Sequence, residues 1–358
     1  MAKGSKKEGG GIGELLAYAG DRKFLTYLGM ALSAFSQLLS FGPYVCIWLV
    51  ARDLIAVAPN WSEAADIAMY GWWAVGFALA SIVIYFVGLM CTHLSAFRCA
   101  SNIRKATSEH LLKLPLGYFD THATGELRRI VDGCAASTET LLAHMLPDIA
   151  GATAMVAGLL VLLFALDWRL GAACLISVVV SFCAMATMMS GKGAEFMKAY
   201  MGALVKMNKT GTEYVRGIPV VKVFQQTVYS FKAFHDAIAE YADMAQSYAG
   251  TFCRGPQVLN LTALNGLVAF LLPVALLLAP GETDFAHFMV NFTFYAIFSA
   301  VVPTAMTKLM FVGEASQMSA DSLARIRSVM DSKQLSVPAQ PKHPAGNDVR
   351  FEDVSFTY

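Results

Sequence analysis

Six stretches of the chain run for about 20 residues or more with almost no charge: 24–51, 67–96, 149–166, 170–190, 258–280 and 285–307. An α-helix needs roughly 20 apolar residues to cross a hydrocarbon layer of about 30 Å. Each stretch is therefore expected to be a transmembrane helix. Pro43, Pro273 and Pro303 stand inside the first, fifth and sixth and are placed to bend them. Helical patterning does not stop at the end of the second stretch. It runs on through Arg98, Arg104, Lys105 and Glu109 to Leu114, giving roughly 70 Å of helix at 1.5 Å per residue. A matching polar, mostly helical excursion joins the fourth stretch to the fifth. An amphipathic segment, Glu14 to Lys23, precedes the first apolar stretch, and Leu15, Leu16 and Ala19 give it one apolar face. It reads as a helix lying along a membrane surface.

Composition agrees with this pattern. Hydrophobic residues make up 56% and charged residues 15%, and mean hydropathy is +0.52. A soluble domain carries nearer a quarter charged residues, so an integral membrane protein is expected. A net charge of +1 without any basic stripe argues against nucleic acid as a partner. Seven scattered cysteines lack metal-ligand spacing and read as small buried hydrophobes. The basic start of the chain is followed by an amphipathic segment and then by too long an apolar stretch to be a cleavable signal peptide.

The distribution of charge sets an expected orientation. Of 27 Lys and Arg residues, 25 fall in the N-terminus, the second and fourth connections and the C-terminal tail. The positive-inside rule then places those parts in the cytoplasm and the short loops outside, at a cytoplasmic (inner) membrane.

The ends of the two long excursions carry distinctive wording. The first reads Pro115, Tyr118, Phe119, Asp120, then Gly125, Glu126, Leu127, Arg129, Ile130 and Asp132. The second reads Gly217, Ile218, Val220, Val221, Lys222 and Phe224, with Gln225, Gln226 and Thr227 beyond. A third match, Ser322, Ala324, Arg325, Ile326 and Met330-Asp331, follows the sixth stretch. Taken by themselves, Tyr118 and Phe119 read first as closing the hairpin's own small core. Together, and in this order, the three resemble the transmembrane domain of ABC transporters of the exporter fold. An acidic residue often stands shortly after the Phe in that family, where this chain has Gln and Thr.

The resemblance implies an all-α integral membrane fold: six transmembrane helices with long cytoplasmic extensions, followed by the first β-strand of an α/β ATPase domain. The divisions are 1–23 (N-terminus and interfacial helix), 24–331 (six-helix domain), 332–348 (Pro-rich linker) and 349–358 (start of the nucleotide-binding domain). Val349, Phe351, Val354 and Phe356 give the last segment a strand pattern, with a slip at Glu352-Asp353. The family places an adenine-stacking aromatic at the position of Tyr358. No Walker or signature motif is present in the chain, so ATP and magnesium belong to the full-length protein rather than to these residues. Tyr118, Phe119, Asp120, Gly125, Glu126, Gly217, Val221, Lys222 and Phe224 are the positions expected to dock on an ATP-binding domain. A second half-transporter, identical or related, is the expected partner.

Function follows as an expectation: the membrane half of an ATP-driven transporter of a small molecule, lipid or peptide, with export favoured on family frequency. Import of an iron chelate by the same fold is one alternative, and a channel, carrier or regulatory subunit without a motor is another. Polar residues inside the apolar stretches are candidates for function because they are costly there. Inside the stretches or at their ends these are His144, Asp148, Asn260, Asn265, His287, Asn291 and Lys308. Asn260, Asn265, Asn291 and Tyr295 are the expected cavity positions, with interhelical hydrogen bonding as their other reading. Lys308 is expected to reach toward the cytoplasmic interface.

Overall fold

The computed structural model describes residues 11–189, 191–224, 228–265, 267–335 and 346–355. Helices follow one another throughout. They are α1 (Gly11–Ala17), α2 (Lys23–Leu39), α3 (Gly42–Val57), α4 (Ile67–Leu111), α5 (Leu116–Thr121), α6 (Thr124–Arg128), α7 (Cys134–Thr140) and α8 (Leu146–Ala165). Then come α9 (Trp168–Met189), α10 (Lys192–Phe224), α11 (Val228–Gln246), α12 (Arg254–Asn265), α13 (Leu267–Leu278), α14 (Phe285–Phe298) and α15 (Val301–Met330). Among the described residues, five helical runs are long and apolar enough to cross a membrane, rather than the six expected. The fifth expected stretch is described as α12 and α13, of 12 residues each, on either side of position 266.

Prolines decide where the helices change course. Proline lacks an N–H and its ring presses on the carbonyl four residues earlier. Pro43 lies at the start of α3, and that carbonyl belongs to Leu39, the last residue of α2. Pro303 lies in the first turn of α15, and its counterpart, Ser299, caps the end of α14. Pro147 and Pro256 are met differently. Ala143 and Phe252 fall in widened π turns, Leu141–Met145 and Ser247–Cys253. Such i→i+5 turns carry a helix past an irregular residue without ending it.

The chain divides into two compact units. One comprises residues 1–46, 68–158 and 305–358. Its core holds Leu15 and Leu16 of α1 and Ala19 just beyond it against Ala96, Cys99 and Ile103 of α4, Leu141 and Leu142, and Ile326 of α15. The apolar face of α1, expected on a membrane surface, thus meets protein. Asn102 donates to the Tyr18 carbonyl at 2.7 Å, and Arg327 pairs with Glu14. Deeper in this unit small residues let helices touch. A Cβ on Gly29 would lie 2.5 Å from Thr92 Cγ2 and 2.6 Å from the Gly88 carbonyl. Thr26 donates to Ser95 at 2.8 Å beside that crossing. Close backbone approach of this kind drives helix association where solvent gives no hydrophobic force.

The other unit comprises residues 47–67 and 159–304. The α10–α11 hairpin is held by an aromatic ladder: Phe196 on Phe252, Tyr200 on Tyr241 and Tyr248, and Tyr214 on Phe234. The Tyr200 and Tyr241 hydroxyls are 2.9 Å apart. Pairs like these supply large rigid contact area at little entropic cost.

The expected strand at the end of the chain is not formed. Among the described residues there is no β-strand at all. Residues 349–355 are irregular and exposed, with Phe351 78% accessible, and Asp353 takes a left-handed φ of 47° at the slip in the pattern. A lone strand leaves its N–H and C=O groups unpaired, and no neighbouring strand is there to take them. The segment is therefore not the first strand of an ATPase domain in this structure, and the fold is all-α. Tyr358 lies outside the described residues.

Candidate functional site

The first hairpin tip is a short exposed helix set off by extended residues on both sides. Pro115 precedes α5 with ψ of 150°, and His122 closes it. Tyr118 stacks on His122 with ring centroids 4.0 Å apart and meets Phe119 edge-on at 5.8 Å. Leu112, Leu116 and Phe119 are exposed, as are Asp120, Gly125 and Glu126. Leu127 and Ile130 turn inward and anchor the return. The aromatic pair therefore divides its work, since Tyr118 braces the tip and Phe119 is presented outward. Arg104 of α4 reaches Asp132 at 3.5 Å across the hairpin. The chain after α15 returns to the same place, where the Leu335 amide donates to the Lys113 carbonyl at 2.9 Å.

The second tip is formed by the end of α10, which continues through Pro219 to Phe224. Val215, Val220 and Val223 are exposed along it, with Lys222 beside them and Gly217 half-buried. Val221 and Phe224 occupy helical positions, and their side chains lie outside the described residues. Each tip thus offers apolar surface on a polar hairpin, and each is described within its own unit.

The membrane candidates are placed as follows. Asn291 is buried and accepts from Trp48 Nε1 at 3.0 Å. Tyr295, one turn on, is fully buried; its hydroxyl lies 2.7 Å from the Leu163 carbonyl and 2.9 Å from that of Asp167. It also accepts from the Asp167 amide at 3.1 Å. Asn260 is buried and accepts from Ser181 of α9. Asn265 stands at the end of α12, with its side chain outside the described residues. An apolar groove of about 380 Å³ opens beside Asn260, lined by Val179, Cys183 and Thr187 of α9 and Pro256 and Leu259 of α12.

The hairpin next to Tyr295 is an electrostatic knot. Arg169 pairs with Asp167 at 3.0 Å and with Glu282 at 2.5 Å. Burial works to raise the Asp167 pKa, but hydrogen bonds from the Arg169 side chain and amide prevail and hold it below the usual carboxylate value. Lys308 donates to Gln37 Oε1 at 2.9 Å. The partners of Lys308, Asn291 and Tyr295 lie 271, 243 and 132 residues away in sequence. Nothing local could have announced them.

For a nucleotide or its metal the described residues offer no cradle. They contain no group of three or more His, Cys, Asp or Glu able to hold an ion, and no glycine-rich phosphate loop occurs in the sequence.

Long apolar helices that continue into polar hairpins with apolar tips define a multi-spanning α-helical membrane domain. The model of the ABC transporter transmembrane region matches residues 26–302. The chain belongs to that family. It is 23% identical over 332 residues to the mycobactin import ATP-binding/permease protein IrtA of Mycolicibacterium smegmatis, covering 91% of this chain and 37% of that protein. The protein of the same name from Mycobacterium tuberculosis is 27% identical over 205 residues, covering 57% and 23%. ABC transporter B family member 1 of Dictyostelium discoideum is 24% identical over 302 residues, covering 78% and 31%. The chain spans about a third of the length of the relatives it matches most fully.

Proposed function

We propose that the chain is the membrane half of an ATP-driven transporter that carries an iron chelate into the cell. The observation that carries this reading is similarity over 91% of the chain to a mycobactin importer, with two more proteins of that name also matched. This moves the weight from export, favoured by family frequency alone, to the import alternative. ATP and magnesium belong to an ATP-binding domain outside the residues described, and a second half-transporter supplies the other wall of the pathway.

The chain's own residues bear on coupling. Tyr118, Phe119, Asp120, Gly125 and Glu126 on one tip, and Gly217, Val221, Lys222 and Phe224 on the other, form the docking surfaces for that domain. The 45 residues of α4 give a rod of about 68 Å at 1.5 Å per residue, which carries displacement of a tip into the membrane. The positive charge of the N-terminus, hairpins and tail supports a cytoplasmic position for these tips.

The test is transport by the whole native protein in proteoliposomes of known orientation, with a radio-iron-loaded mycobactin-type chelate. ATP on the hairpin side should drive accumulation of iron on that same side. ATP-dependent movement away from the hairpin side restores the export reading, and no ATP-dependent movement of the chelate removes this cargo class.

A further inference from the structure

Four helices of the first unit each bring one polar side chain to a common place. Lys308 of α15 donates to Gln37 of α2 at 2.9 Å. Tyr85 of α4 donates to Asp148 Oδ1 of α8 at 2.9 Å. Gly151, one turn past Asp148, packs against Gln37, the residue that Lys308 holds; yet among the described residues the two charges form no direct ion pair, and each has a neutral partner instead. Charges held in apolar surroundings are costly unless paired. Among the described residues, two opposite charges that do not close leave further donors on Lys308 and one oxygen of Asp148 to spare.

The arrangement is built, not incidental. Pro147 gives its carbonyl to the Ser33 hydroxyl of α2 at 2.7 Å. Gly151, one turn after Asp148, lets α2 approach, since a Cβ there would lie 2.9 Å from Ser33 Oγ and 3.0 Å from Gln37 Cγ. The widened turn before Pro147 frees the Ala143 carbonyl, and Thr92 Oγ1 lies 2.9 Å from it. Gln37 and Asp148 are thus set by backbone contacts on each side. Asp148 is exposed on the surface of this chain. One turn before it, His144 meets His93 edge-on at 4.7 Å, extending the polar strip. With the N-terminus cytoplasmic, Tyr85 falls in the cytoplasmic half of its apolar stretch, Asp148 and Lys308 adjoin the cytoplasmic ends of theirs, and Gln37 lies near the middle of its own.

We propose that Lys308, Asp148, Tyr85 and Gln37 form a cargo-contact site, and that the ligand it takes is an oxygen-rich metal chelate. Ferric iron is a hard cation bound through anionic oxygens, and those oxygens, with the chelator's carbonyls, present acceptor lone pairs to the Lys308 ammonium. Amide or hydroxyl donors of the same chelator meet the free oxygen of Asp148. A ligand that carries both closes the gap that the protein leaves open. This assignment rests on the import reading above and deepens it.

The experiment is equilibrium binding of radio-iron-loaded mycobactin-type chelate to the whole native protein in lipid nanodiscs. Lys308→Met should weaken binding about tenfold or more, the size expected when a charged hydrogen bond is lost. Asp148→Asn, nearly isosteric, should weaken it several-fold. Lys206→Met, which breaks an exposed pair with Glu240 on the α10–α11 hairpin, should not change it. Wild-type affinity in Lys308→Met, or in Asp148→Asn should the first variant not accumulate, overturns the site and leaves the import reading standing. An equal loss in Lys206→Met also overturns it. No binding by the unaltered protein overturns both.

Discussion

Tyr295→Phe separates a structural from a cargo-facing role for the sixth apolar stretch. The hydroxyl is fully buried, sits 2.7 Å and 2.9 Å from two carbonyls, and accepts from the Asp167 amide at 3.1 Å. One proton serves one carbonyl at a time, so the substitution removes one donated and one accepted bond. The Asp167 carbonyl has a second donor in the Gly171 amide at 2.9 Å, which leaves the Leu163 carbonyl and the Asp167 amide as the groups affected. Interhelical hydrogen bonds in membranes average about 0.6 kcal/mol, which sets a floor of about 1 kcal/mol for two. An orphaned buried amide adds about 1–3 kcal/mol, so a loss of about 2–4 kcal/mol is expected. The assay is denaturant unfolding of wild type and variant in one detergent, with hydrogen exchange followed across residues 163–171. Exchange should speed up there first. Unchanged stability together with altered cargo affinity would refute the latch and return Tyr295 to the cavity.

Three other substitutions probe other parts of the argument. Gly29→Leu drives a side chain into Thr92 and the Gly88 carbonyl and should cost about 1–3 kcal/mol or more, read as a lower unfolding midpoint. Asp167→Asn should destabilise by about 2 kcal/mol at neutral pH through lost charged hydrogen bonds. Because the folded pKa of Asp167 is depressed, its stabilisation is complete above the unfolded value of about 3.9. It disappears as pH falls through the lower folded value, so the gap between wild type and variant should close only in acid. Phe119→Asp, on an exposed ring at the first tip, should leave stability within about 0.5 kcal/mol. It should cut ATP-driven transport at least tenfold, with ATP hydrolysis measured in parallel to show the uncoupling.

What could be read from the sequence depended on how local its cause was. Apolar stretches are legible because hydrocarbon thickness alone fixes their length, and the family of the chain follows from their order and the wording of the tips. Helix ends are legible at Pro43 and Pro303, where one ring acts on one carbonyl four residues back. The same rule does not tell whether a helix stops or widens: before Pro147 it widens, and the freed Ala143 carbonyl lies beside Thr92, 51 residues earlier. The strand expected at the end of the chain failed for the opposite reason, since the alternation there is local and the described residues hold no second strand to pair with it. Asn291, Tyr295 and Lys308 were visible as polar positions in apolar sequence, but a position is not a role. Trp48, Leu163 and Gln37 decide what those side chains do, and only tertiary contact brings them there. Asn291 and Tyr295 find protein partners that satisfy them. Lys308 and Asp148 find neutral partners and leave charge over, so it is the remainder, not the polarity, that singles out a place for cargo.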